Sequence, residues 1–284
     1  MRKWKILEEK IFKAICFVSA YSVIGLLIFV LVVVFTNGIG SVSWDIVTQL
    51  PKGGYYFGGE GGILNAIVGS LYLSVGATIL AVVIGLPTAL FLNIQLIRRE
   101  KMQNAIRYLL DALWGIPSIV YGAFGFAIML YLGMQSSLLA GIITVALLIT
   151  PILVRAFDEV LSTIPIELQE ASFSMGSTKA ETAFKVLFKQ GFPGFITALL
   201  LAFGRGIGDA ASVLFTAGYT DNIPESLDEP VATLPLAIFF QLSSPIPEVR
   251  ERAFAATVVL TIFILIISLS ARYLSKKYSK NLIK

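Results

Sequence analysis

Long apolar runs divide this chain, at about 14–36, 67–93, 107–132, 138–154, 194–217 and 253–273. A helix needs about 20 such residues to cross the hydrocarbon core of a bilayer. The expected fold class is therefore all-α, a polytopic membrane protein with about six transmembrane helices. Composition agrees, because charged residues make up 14% of the 284 and hydrophobic ones 56%, whereas a soluble domain of this size carries roughly a quarter charged. Lipid must be the solvent for most of the surface. The fourth run is short, and Gly115-Ile116-Pro117-Ser118 interrupts the third. Breaks of that kind are tolerated within a membrane only where protein or a cavity re-satisfies the freed backbone groups, so the third run is expected to line something.

Lysines and arginines sit in alternate loops. Arg2, Lys3, Lys5, Lys10 and Lys13 precede the first run, Arg98, Arg99 and Lys101 follow the second, Arg155, Lys179, Lys185 and Lys189 fall in the 155–193 loop, and Arg272, Lys276, Lys277, Lys280 and Lys284 lie in the tail. The other loops hold Lys52, Arg250 and Arg252 among many acids. The positive-inside rule then places both termini in the cytoplasm. Charges confined to loops do not form a strip that follows nucleic acid, so no nucleic-acid partner is expected. The first run is long and is followed by no small-residue cleavage site, so it is expected to stay as an anchor. Trp4, Ile6, Leu7, Ile11 and Phe12 among lysines suit an amphipathic helix on the cytoplasmic surface.

The chain divides into residues 1–66, holding this amphipathic segment, the first span and a glycine-rich external loop, a core at 67–273 with a cytoplasmic loop at about 162–193, and a basic tail at 274–284. The glycine-rich stretch at 53–62 has no Lys-Ser or Lys-Thr after a glycine and is not a nucleotide loop. The chain has no histidine, which excludes His-containing zinc sites and Ser/His/Asp triads. Its single cysteine, Cys16, has no intrachain disulfide partner and reads as a small hydrophobe. No catalytic residue, metal site or cofactor is expected in this chain.

The cytoplasmic loop reads as helix, turn, helix. Pro165 suits a helix start and Gly176 its stop, while Thr178 and Glu181 form a capping-box pattern that opens the second helix. On that helix Ala180, Ala183, Phe184, Leu187 and Phe188 recur at helical spacing, with Lys179, Thr182, Lys185 and Lys189 opposite. Such a stripe needs cover, either from the chain's own helix ends or from the groove of another subunit.

Arg205 and Asp209 fall inside the fifth run, at i and i+4. A charge at mid-membrane costs about 2.5–3.5 kcal/mol on insertion scales, so both are expected to face inward and to neutralise each other. Two roles fit: a packing lock, or a guanidinium fork for a passing oxyanion that Asp209 holds when the anion is absent. Arg107 and Asp111 repeat the spacing at the start of the third run, where a structural role near the interface suits them. Arg155 reads as a positive-inside anchor.

Glu170-Ala171-Ser172, three residues and then Gly176 resembles the EAA loop of ABC-importer permeases. Ser172 stands in place of a second Ala, Val186 and Phe188 stand where Ile and Leu are usual, and Lys189 replaces a Pro. Further stretches are similar to the phosphate-specific ABC transporter permeases of the PstA type. They are Gly61-Gly62-Ile63 with Gly69-Ser70-Leu71, Gly115 to Gly122, Gly204-Arg205-Gly206-Ile207-Gly208-Asp209-Ala210-Ala211 and Thr233-Leu234-Pro235-Leu236. The resemblance implies a transport subunit of a bacterial or archaeal inner membrane, with no enzymatic chemistry of its own. It implies a heterodimer with a second permease subunit, two ATPase subunits that hold ATP and Mg, an external phosphate-binding protein, and inorganic phosphate as cargo. It places the pathway on Arg205 and Asp209, whose acidic position is Glu in many relatives, and the ATPase coupling contacts on Glu170, Ala171, Gly176, Ser177, Thr178 and Phe184. A permease for sulfate, molybdate or a phosphonate keeps the same loop. A self-sufficient secondary transporter would have only Asp111 and Asp209 for proton coupling.

Overall fold

The computed structural model describes residues 2–52 and 60–278, and side chains within 4–52 and 61–277. Most of the expected glycine-rich turn, 53–59, and the tail end, 279–284, lie outside the described residues. Helices α1 (Arg2–Gly38), α2 (Trp44–Thr48), α3 (Leu64–Ile94), α4 (Glu100–Trp114), α5 (Ser118–Tyr131), α6 (Leu138–Ser162), α7 (Ile166–Ser174), α8 (Lys179–Glu181), α9 (Phe188–Ile207), α10 (Leu234–Leu242) and α11 (Pro247–Tyr278) follow one another. Strands β1 (Pro51–Lys52) and β2 (Glu60–Gly61) pair antiparallel, Pro51 opposite Gly61. Among the described residues, five helices are long and apolar enough to cross a membrane, or six when α4 and α5 count as one bent span.

The core forms where α3 lies along α6. Leu92, Ile149, Leu153 and Phe157 are buried there, and Ala77 and Ala81 bring the backbones close, as small residues do between membrane helices. At 1.5 Å per residue α3 is about 46 Å long, enough for the hydrocarbon core and both headgroup layers. Asn93 and Thr78 hydrogen-bond carbonyls one turn back, which hides their polar atoms within the helix.

Four spans differ from the sequence reading. From Arg2 onward the expected surface helix continues unbroken into the first span as one 37-residue helix, α1. Within the chain α1 touches mainly α11, where Gly38 meets Phe254 and Val258, and its apolar stretch is otherwise uncovered. The interruption of the third run is a bend of 94° between α4 and α5. Pro117, which lacks an N–H and biases Ile116 away from the helical region, breaks the ladder there. Helix α4 buries no residue fully. The fifth run is helical only to Ile207, although a continuous helix reaches it from Lys179. The short fourth run is part of a longer helix, α6, ending at Ser162.

Candidate transport pathway and coupling surface

Residues 208–233, between α9 and α10, are non-helical; Ser212, Val213, Thr216, Ala217, Val231 and Ala232 are closed off from solvent, while 225–230 are exposed. Backbone of this kind survives within a membrane protein only if its polar groups find partners. Ser137, Leu138 and Leu139, at the start of α6, donate their N–H groups to the carbonyls of Thr216, Glu229 and Leu227 at 2.8–2.9 Å. Val231 donates to the Ala217 carbonyl at 2.9 Å. From α3, Asn65 donates to the Thr220 carbonyl, and Ser70 Oγ accepts from the Leu234 N–H, each at 2.7 Å. Close approach demands glycine at two places: a methyl group on Gly122 would sit 2.8 Å from the Ala211 carbonyl oxygen, and one on Gly69 would overlap that of Ala232. The stretches that carried the family resemblance thus converge on one buried segment.

Arg205 and Asp209 stand at its entrance. Arg205 lies in the last turn of α9, while Asp209 falls beyond the helix end, contrary to the expectation that both sit on one helix face within a span. Gly208 at the end and the Asp209 side chain stop the helix: Asp209 Oδ2 accepts from the Ser212 N–H at 2.8 Å and so caps the following turn. Its other oxygen meets Arg205 Nη1 at 3.3 Å. The aspartate side chain is 4% exposed and the arginine 48%. A buried anion therefore anchors a half-open guanidinium. Leu201, one turn before Arg205, is also exposed, so this face of α9 is uncovered within the chain, whereas the Gly206 side packs toward Val145 and Ile149 of α6.

A second charge cluster lies near the end of α6. Asp158, 2% exposed, accepts from Arg107 Nε and Nη2 at 2.8 Å each, from Arg155 Nη1 at 2.6 Å and from Asn93 Nδ2 at 2.8 Å. Arg155 Nε reaches Asp111 at 2.6 Å. Arg107 and Asp111 therefore each pair with α6, and Arg155 is a bridge between two carboxylates. A bidentate arginine fork on a buried carboxylate is among the stronger ionic contacts available. It fastens α3, α4 and α6 together one turn before the 162–193 loop. Asp158 and Asn93 were absent from the sequence reading, and an acid three residues after Arg155 was the available signal.

The loop folds as expected at its turn. Helix α7 starts after Pro165, Gly176 has φ +82°, and Thr178 and Glu181 form the reciprocal capping box. Thr182 to Leu187 is a π-helix, whose longer turn moves the buried stripe. Thr182, Ala183 and Leu187 face inward, with Thr182 hydrogen-bonded to Ser172 at 2.9 Å, while Ala180 and Phe184 face out. Glu170, Ala171 and Thr178 are exposed and Ser177 half-buried. On either side of Gly176 in sequence, Met175 is 86% and Phe184 58% exposed, and Phe173 is exposed as well. Among the described residues nothing covers this apolar knuckle. Helix α9 links it to Arg205, about 26 Å along the axis from Phe188 at 1.5 Å per residue.

Residues 81–280 match the family described as the binding-protein-dependent transport system inner membrane component. The chain belongs to this family. Family members are transport subunits of the inner membrane, so the chain is a multi-pass permease and not a catalytic subunit. It is 29% identical over 274 residues to the phosphate transport system permease protein PstA of Pasteurella multocida, covering 96% of each chain. It is 31% identical to the PstA protein of Yersinia pestis, covering 88% of this chain and 84% of that one. Its fold matches a chain of the inward-facing MetNI methionine ABC transporter with a TM-score of 0.63 and 20% identity, over 76% of this chain and 95% of the other.

Proposed function

We propose that the chain is the permease subunit of an ATP-driven importer of inorganic phosphate, forming half of the translocation pathway. The observation that carries this reading is Arg205, a half-open guanidinium held by the buried Asp209 where a span gives way to irregular backbone. Guanidinium is permanently charged, weakly hydrated and matched to tetrahedral oxyanions, and its pairing with Asp209 compensates it when no anion is present. The PstA names of the relatives favour phosphate over sulfate, molybdate or phosphonate.

A second permease subunit covers the open Leu201–Arg205 face of α9, so that the anion passes between two chains. Outside, a phosphate-binding protein delivers the cargo. Inside, two ATPase subunits, which hold ATP and Mg, receive the knuckle formed by Glu170, Ala171, Gly176, Ser177, Thr178 and Phe184. Closing of the ATPase pair moves the knuckle, and α9 carries the movement to Arg205, switching the side on which the cavity opens. Both termini lie in the cytoplasm. Proteoliposomes containing the complete complex test this: labelled phosphate should accumulate only with ATP and the binding protein, and excess sulfate or molybdate should not compete. Competition by sulfate at equal concentration would reassign the cargo.

A further inference from the structure

Where α3 ends, a cleft of about 460 Å³ opens between the α3–α4 turn and the cytoplasmic loop. Arg98 and Gln95 line one side, and Ser177, Thr178 and Lys179 the other, with Phe173 as an apolar wall. Its volume falls within the ~300–1,000 Å³ of ligand-binding clefts. No carboxylate lines it. Lys179 Nζ has only the neutral Gln95 Oε1, at 2.8 Å, and among the described residues neither Arg98 nor Lys179 forms an ion pair. Glu181, two residues after Lys179, is committed elsewhere, accepting from the Thr178 N–H and hydroxyl at 3.0 Å and from Lys185 at 2.9 Å. Two cations thus face one space without a counter-charge.

We infer that this cleft binds a phosphate-bearing anion that bridges Arg98 and Lys179. The arginine supplies a planar donor fork, the lysine a compact charge, and Ser177 a hydroxyl from the turn, a set matched to a tetrahedral oxyanion approached from several sides. The phosphate belongs either to an anionic lipid headgroup, whose acyl chains run along the spans, or to free inorganic phosphate on the cytoplasmic side. In both cases the bound anion ties the end of α3 to the coupling turn. The inference does not depend on what the pathway carries.

The test uses the complete complex in nanodiscs, comparing the native chain with Arg98→Gln/Lys179→Gln and with the charge-keeping Arg98→Lys/Lys179→Arg. Partner subunits co-purifying with each variant establish assembly. In phosphatidylcholine discs, binding of labelled inorganic phosphate is measured without ATP or binding protein, so that any binding at Arg205 is common to all three. In discs containing phosphatidylglycerol, the immobilised fraction of spin-labelled phosphatidylglycerol is measured. Losing two charged contacts should weaken binding about tenfold or more in one arm, with the charge-keeping variant close to native. Loss in the first arm identifies free phosphate as the source, and loss in the second the lipid headgroup. Equal behaviour of native and Gln variants in both arms overturns the inference, as when the ATPase subunit itself fills the cleft.

Discussion

Asp158 shows how little of a buried charge network can be seen along a chain. Arg205 and Asp209 were legible because two charges four residues apart stand out in an apolar run, and they do meet at 3.3 Å. Arg107 and Asp111 have the same spacing, yet each pairs with α6, Arg107 with an acid 51 residues away. Spacing finds only local partners, whereas the α3–α6 core decides the distant ones. Asp158→Asn leaves two arginines without their shared carboxylate, and breaking a buried pair costs about 3 kcal/mol at the lower end of the usual range, because both arginines are partly exposed. Thermal unfolding of the purified complex should show a fall in Tm of roughly 5–10 °C, and an unchanged Tm would contradict the network. Gly122→Ala tests the close approach of α5 to the Ala211 and Ser212 carbonyls. Overpacking of this kind costs about 1–3 kcal/mol, so Tm should drop while Gly133→Ala, beside which nothing lies within 4 Å, reports backbone strain alone.

Elements were legible where a residue forces them. Pro165, Gly176 and the Thr178/Glu181 box ended and began helices as expected, and Pro117 marked the break between α4 and α5. The end of α9 was hidden because Val213, Leu214 and Phe215 continue the apolar run past it; hydropathy registers composition, while the break comes from Asp209 capping Ser212. The π-helix was hidden for a similar reason, since apolar spacing was read on a 3.6-residue turn. It turns Phe184 outward, and a phenylalanine buried on docking contributes about 1.5–3 kcal/mol. Phe184→Ala should therefore weaken ATPase co-purification about tenfold or more while leaving the Tm of the isolated permease nearly unchanged. A large loss of Tm with docking intact would place Phe184 in the chain's own packing instead.

For the molecule as a whole, the loops rich in lysine and arginine should lie on one side of the membrane. In a Cys16→Ser background, single cysteines at Lys10, Lys179 or Lys276 should react with a membrane-impermeant maleimide only in inside-out vesicles, and one at Glu225 only in right-side-out vesicles. Labelling of Lys10 and Lys276 positions from opposite sides would overturn the topology. On the proposed account lipid covers the apolar face of α1, and partner subunits cover the exposed knuckle and the half-open guanidinium. The most direct test of that account is ATP-dependent uptake of labelled phosphate by the complete complex carrying Arg205→Ala or Arg205→Lys, after assembly and ATP hydrolysis are shown to be intact. Loss of charge-assisted hydrogen bonds to the anion predicts a fall in uptake of about 10–100-fold for Ala, with Lys restoring little because it lacks the planar fork. Near-native uptake in both would contradict a pathway role and reduce the Arg205–Asp209 pair to a packing contact.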